Sequence, residues 1–337
     1  MIDKSGVPDR DGQPKSMYLY LAAVDFVALA GLVGNIFLFF LMFRSVLKHV
    51  SFSVYLVYLA VVQSIVLLQT SMEDTLDHGF NVLDQFMEPI CRPWLQLSDT
   101  TRFASTWLVL ALTLDRCIAL FVTKYKAVFC TRKVSHGICI FTIAVCFALS
   151  LPGNVTPRIN HGNSSDYNDD GDDVDSCPND LLVYKFVTAG IFHTLVPVSI
   201  CCVLDIVILI LLKRVVLNID VDPEDSAAVL SANQAVKVKR CLVALCCLAV
   251  LTLVPIAIVE SIESFSSNET AVENAGEAWR FFNIILLVNY GQNFYIIMAM
   301  SLYMRCLFEQ MICRDKARYK QQEELVMILS PNDNAFL

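Results

Sequence analysis

Charge is scarce in this chain. Of its 337 residues 17% are charged and 56% are hydrophobic. Soluble domains usually carry about 25% charge, so a soluble fold of this length is excluded. Histidine is sparse as well. His49, His78, His136, His161 and His193 are scattered over different segments without ligand spacing, so no metal site is expected. No nucleophile–base constellation accompanies them, so neither enzyme nor cofactor is expected. No internal repeat is visible, and Gly and Pro do not interrupt matched halves, which counts against a transporter or channel. The net charge of −8 gives no sign of a nucleic-acid partner.

What the chain has instead is long apolar runs. Seven windows approach the length needed to cross a bilayer, near 18–43, 53–72, 95–122, 136–152, 184–212, 237–262 and 279–303. The expected architecture is all-α, a seven-transmembrane helix bundle over 18–304. An extracellular N-terminus of residues 1–17 precedes it, and a tail of residues 305–337 follows. Residues 1–16 are polar and the next segment is long enough to span, so the first helix is expected to act as its own uncleaved insertion signal. "LYMRCLFEQMICRDKARY" (302–319) mixes apolar and basic residues at helical spacing, as an amphipathic helix on a membrane surface does.

The connections orient the bundle. With the N-terminus outside, the inner connections hold 17 Lys or Arg and the outer segments 6. The positive-inside rule selects that arrangement, a multi-pass protein of the plasma membrane. Acidic residues run the other way, with 20 of the 33 outside. Among the 13 cysteines, most lie within apolar spans and read as small buried hydrophobes. Cys91 and Cys177 fall in outer, oxidising positions, and two is the number one bridge needs. The sequons at Asn154, Asn163 and Asn268 also fall outside, and Asn163 is the best-placed acceptor.

"FASTWLVLALTLDRCIALFV" (103–122) holds an adjacent Asp115 and Arg116 and no other charge. Such groups are costly at a bilayer centre. Cys91 and Arg116 are 25 residues apart, about 37 Å of helix and more than the roughly 30 Å of hydrocarbon. With Cys91 at the outer mouth, Arg116 reaches the inner mouth of the same helix, near water and facing the bundle interior.

With these residues in place the chain resembles the rhodopsin-like, class A G-protein-coupled receptors. Asn35 follows Gly34 in the first span, and "LAVVQ" in the second resembles Leu-Ala-x-x-Asp with Gln63 in the Asp position. "DRC" resembles Asp/Glu-Arg-Tyr, Pro197 and Pro255 match the prolines of helices 5 and 6, and "NYGQNFYII" (289–297) resembles Asn-x-x-x-Asn-Pro-x-x-Tyr. Phe294 in that Pro position, with "STWLV" and "FCTRK" around helix 3, is similar to the invertebrate neuropeptide-receptor branch that includes RFamide-type receptors. Other departures are Leu253 for the helix 6 Trp, Thr252 for the usual Cys, Thr123 for a Pro, and Ile297 for the Tyr.

The resemblance implies roles. Cys91 and Cys177 match the bridge from helix 3 to the second outer loop. Arg116 pairs with Asp115 at rest and contacts a heterotrimeric G protein when helix 6, bent at Pro255, moves outward. Asn293 belongs to the same switch. Asn35, Gln63, Ser105 and Asn289 surround the mid-bundle pocket where many members hold sodium. Asp205 stands where the family usually has Tyr, about 12 Å inside the membrane from Lys213. It is expected to share Arg116 with Asp115, or else to be protonated and bonded to a backbone carbonyl.

For the ligand, an opsin needs a Lys in the seventh span, and 279–303 has none. An amine receptor needs an Asp where Ser98 stands, with Asp99 turned about 100° away. The acidic outer surface suits a cationic extracellular peptide, met by Ser98, Asp99, Glu260, Glu263, Asp172 and Asp173. The acidic run in loop 153–183 can equally be a solvated, disordered loop. A divergent receptor that couples weakly is the alternative function.

Overall fold

The computed structural model describes residues 15–44, 50–76, 90–121, 128–155, 196–218, 248, 251–255, 258–259, 262, 269–300 and 302–313. Among them are five long helices: α1 (Lys15–Arg44), α2 (Ser51–Asp74), α3 (Cys91–Phe121), α4 (Arg132–Val155) and α5 (Val196–Asn218). Helical residues are described at 248, 251–255, 258–259 and 262, and the stretch 251–255, with Pro255 as its last described residue, is here called α6. Then follow α7 (Glu269–Gly291), α8 (Asn293–Met300) and α9 (Leu302–Cys313). No strand occurs among the described residues. That is the arrangement hydrocarbon demands, because a helix satisfies its backbone groups within one segment.

Packing decides which side of each helix faces in. On α1, Val24, Ala28, Gly31, Asn35, Leu38 and Met42 are buried, while Phe26, Leu29, Val33, Ile36, Phe40 and Phe43 point outward. Both stripes are apolar, as a lipid-facing helix requires. Three described helices are long and apolar enough to span alone, α1, α2 and α4, and α7 with α8 makes a bent fourth. α3 is as long but carries more polar residues, and those residues build the site below.

α1 packs on α2 and α7, α2 on α3 and α4, and α3 on α4 and α5. We call the end with Arg44 and Arg116 the inner end. The core has two layers. Leu38, Met42, Tyr55, Leu59, Leu108 and Leu112 fill the inner one; Val24, Leu67, Leu253, Leu287 and Tyr290 fill the outer one.

Helix ends follow local chemistry. Thr131 caps α4, its hydroxyl accepting from the Val134 N–H at 3.4 Å. α2 starts after Val50 in extended backbone, with no side-chain cap bond. α9 packs against α8 and α1 at the inner end, and its described part is Leu302–Cys313, with the rest of the 302–319 pattern outside the described residues. Met304 and Leu307 are buried while Arg305 and Glu309 are exposed, the amphipathic division expected of it.

One boundary differs from the sequence reading. α2 continues through Glu73 and Asp74, which composition alone assigns to the outer connection. They stay helical because neighbouring helices satisfy them. α3 begins at Cys91, the head that the 25-residue spacing to Arg116 gives it.

Candidate functional site

At the inner end, α3 delivers Asp115 and Arg116 against the first turn of α2. Both are buried, 5% and 2% exposed. One carboxylate oxygen, Asp115 Oδ2, accepts from Arg116 Nε at 2.9 Å, from Arg116 Nη2, and from the Ser51 hydroxyl at 3.0 Å. Arg116 Nη2 also donates to Ser51 Oγ at 2.7 Å, so this hydroxyl relays between the two charges. The guanidinium lies over the Phe52 ring, 5.2 Å from its centroid, a cation–π contact. Ser51 and Phe52 carry no signal of this in the sequence. A Ser at a helix start reads as a cap, yet its hydroxyl serves Asp115 rather than the α2 backbone.

In mid-bundle, α2, α3 and α8 meet through amides. Gln63 Nε2 donates to Ser105 Oγ at 3.2 Å, and Asn293 Nδ2 donates to Gln63 Oε1 at 2.6 Å. Asn35 stands apart, donating to the Tyr290 carbonyl at 3.2 Å, while its Oδ1 is buried without a hydrogen bond. Asn289 accepts from Gln292 at 2.9 Å. Of the four expected pocket residues, only Gln63 and Ser105 bond each other.

The chain bends by 60° between α7 and α8 although Phe294 replaces the proline. The break sits at Gln292, directly after Gly291, whose backbone lies against Gly31 of α1. Below the break Phe294 packs tilted against Phe37 of α1 and edge-on against Phe308 of α9, with ring centroids 5.2 to 5.6 Å apart among the three. Ile297, at the Tyr position of the motif this run resembles, is buried in the inner core, so apolar packing holds the lower segment.

The outer end holds two polar groups that the sequence does not announce. Asp74, 7% exposed, accepts from Tyr20 OH at 3.0 Å and Asn283 Nδ2 at 3.2 Å, and Asn283 also donates to Tyr20 OH at 2.9 Å. This triangle joins α1, α2 and α7. One residue earlier, Glu73 turns to α3, where it accepts from the Trp94 indole at 2.5 Å and faces Arg102 at 3.7 Å. The one available signal was Arg102 itself, a cation about 16 Å down the helix from Cys91. At the same level, on the α4 side of α3, Gln96, Thr100 and Ser150 share hydrogen bonds of 2.7 to 3.4 Å.

Ser98 is buried and Asp99 half-buried on the same stretch of α3. Pro255 closes the described part of α6. Cys91 and Asp205 lie on helices, but their side chains are outside the described residues, as are Cys177, Asn163, Asp172, Asp173, Glu260 and Glu263 entirely.

Residues 34–293 match the family described as 7 transmembrane receptor (rhodopsin family). The chain belongs to that family. It is therefore an all-α seven-helix G-protein-coupled receptor, a multi-pass membrane protein that carries a signal across the bilayer. No curated protein matches the receptor's sequence. The matched stretch starts just before Asn35 and stops at Asn293, so it contains the amide cluster, the Asp115–Arg116 clamp, the Glu73–Trp94–Arg102 group, and Asp74 and Asn283 but not Tyr20 of the outer triangle.

Proposed function

We propose that the receptor takes a cationic peptide at its outer end and activates a heterotrimeric G protein at its inner end by outward movement of helix 6. The observation that carries the second half is the Arg116 clamp. A buried guanidinium held by one neighbouring carboxylate and one hydroxyl has a second use at the membrane surface once those partners are drawn away. Charge distribution carries the first half. With 20 carboxylates in the outer segments, a basic peptide is attracted before it touches the pocket. On this reading Cys91 and Cys177 form a bridge that holds the second outer loop over the pocket, and Asn163 carries glycan.

A second reading, a receptor that binds its ligand and couples weakly, draws support from the Phe37–Phe294–Phe308 cluster, which fastens the lower part of helix 7 to α1 and α9.

The test is a panel of amidated peptides on cells expressing the receptor, with second-messenger output and guanine-nucleotide-sensitive binding read together. Arg- or Lys-bearing peptides are expected to signal, with on-rates that fall as salt shortens the roughly 8–10 Å Debye length. Binding without nucleotide sensitivity would favour the weak coupler. A potent acidic or purely lipid agonist would overturn the cationic assignment.

A further inference from the structure

Asp25 of α1 and Glu73 and Asp74 of α2 are neighbouring carboxylates of the outer end. Their surroundings separate them. Asp74 is buried and already accepts from Tyr20 and Asn283, so its oxygens point into a closed triangle. Asp25 is exposed on α1 and accepts from Ser71 at 2.6 Å and Thr75 at 3.3 Å. Its neighbour Phe26 belongs to the outward stripe, which puts Asp25 at the edge of the bundle.

Glu73 differs from both. It lies between α2 and α3 and keeps 26% of its side chain exposed, with Arg102 at 32%. Trp94 and Arg102 are eight residues apart on α3, with the buried Ser98 midway, so this face of α3 turns into the bundle. The Trp94 indole fixes Oε1. Oε2 stands 3.7 Å from Arg102 Nη2, within ion-pair reach but longer than a hydrogen bond. An incoming guanidinium that engages both carboxylate oxygens makes shorter, charge-assisted bonds than this one.

We propose that Glu73 is the anchoring carboxylate for the ligand's cationic group, and that Arg102 occupies it at rest as a built-in counter-ion which the ligand displaces. The inference deepens the cationic-ligand reading above and rests on it. Binding puts the ligand's cation between α2 and α3 in place of Arg102, which supplies a reason for ligand-dependent movement where these two helices meet.

The experiment uses the full-length receptor purified in detergent, with N-acetyl-arginine amide as the probe and N-acetyl-citrulline amide as its uncharged twin. Thermal unfolding is followed against probe concentration. Removing the internal competitor in Arg102→Gln is expected to tighten apparent affinity for the arginine probe about tenfold, the scale of one charge-assisted contact. Glu73→Gln keeps an acceptor for Trp94 and is expected to show no arginine-specific shift, whereas Glu73→Asp retains one. The citrulline probe should move none of them. Equal stabilisation of Glu73→Gln and Arg102→Gln, or no arginine-specific shift in Arg102→Gln, overturns the proposal. A cationic peptide that activates Glu73→Gln as well as the native receptor overturns this inference and leaves the broader reading standing. An arginine shift that requires Glu73, in a receptor no cationic peptide activates, supports the subsite and sinks the broader reading.

Discussion

Gly31 of α1 and Gly291 of α7 meet backbone to backbone: a Cβ on Gly291 would stand 2.5 Å from the Gly31 Cα. Only hydrogen fits between them. A Cβ on Gly31 fares little better, at 2.9 Å from the Gly291 Cα and 2.7 Å from a Leu67 methyl. Because backbone cannot rotate away as a side chain does, Gly291→Ala is expected to destabilise by about 1–3 kcal/mol, the usual scale of overpacking. Gly137 on α4 is the matched control, since nothing lies within 4 Å of its Cβ position. Gly137→Ala should be neutral or slightly stabilising, because Ala is the better helix former. Thermal unfolding of the two variants in detergent compares them directly. Equal stability would mean that α1 and α7 do not touch here.

Ser51 is the least expected member of the inner clamp. Its hydroxyl donates to Asp115 and accepts from Arg116, so Ser51→Ala removes two contacts to charged groups. Hydrogen bonds to charged groups are worth about 1.5–3 kcal/mol each. With part of that lost from the resting state alone, agonist-free nucleotide exchange is expected to rise several-fold. The measurement is basal exchange at equal surface expression. An unchanged basal rate would show that Ser51 does not restrain Arg116.

How much of this was legible beforehand differs by location. The apolar spans follow from hydrophobic length, which is local, whereas α1 is apolar on both sides and its inward stripe shows only in the packing. The pairing of Asp115 with Arg116 is equally local, since the residues are adjacent. The partners that complete each site are not. Ser51 lies 65 residues from Arg116, and Tyr20 lies 263 from Asn283. Glu73 and Asp74 look like loop residues because two adjacent acids normally end an apolar span. They stay helical because Trp94 and Arg102 on one side, and Tyr20 and Asn283 on the other, replace the water they would otherwise need. The bend at Gln292 was hidden for a different reason. Proline announces a kink from sequence, whereas a kink packed around glycine shows only when the facing glycine on another helix is known.

Sodium should leave this receptor indifferent. Both ends of the Gln63 amide are engaged, by Ser105 and Asn293, and the residue carries no charge. Neutral oxygens alone repay the dehydration of a monovalent cation poorly. Agonist affinity measured in sodium is therefore expected to equal that in a large organic cation at the same ionic strength. A sodium-specific loss of affinity, removed by Gln63→Leu, would contradict this.

Asp205 sits on α5, which packs against α3. We expect it to share Arg116 with Asp115 at rest. Replacing it with Asn then leaves the buried guanidinium short of countercharge, a loss of up to about 3–5 kcal/mol when one partner of a buried pair goes. Agonist-free signalling of Asp205→Asn is expected to exceed that of the native receptor. If basal output is the same at equal surface expression, Asp205 is not part of the lock.

The central claim is that Arg116, held at rest by Asp115 and Ser51, is the group through which this receptor drives its G protein. Nucleotide exchange on purified heterotrimeric G proteins, driven by Arg-bearing amidated peptides, tests it in the native receptor and in Arg116→Ala, with peptide binding measured on the same membranes. The account predicts that Arg116→Ala still binds peptide while its exchange falls to background. Exchange by Arg116→Ala at the native rate, with binding intact, would contradict it.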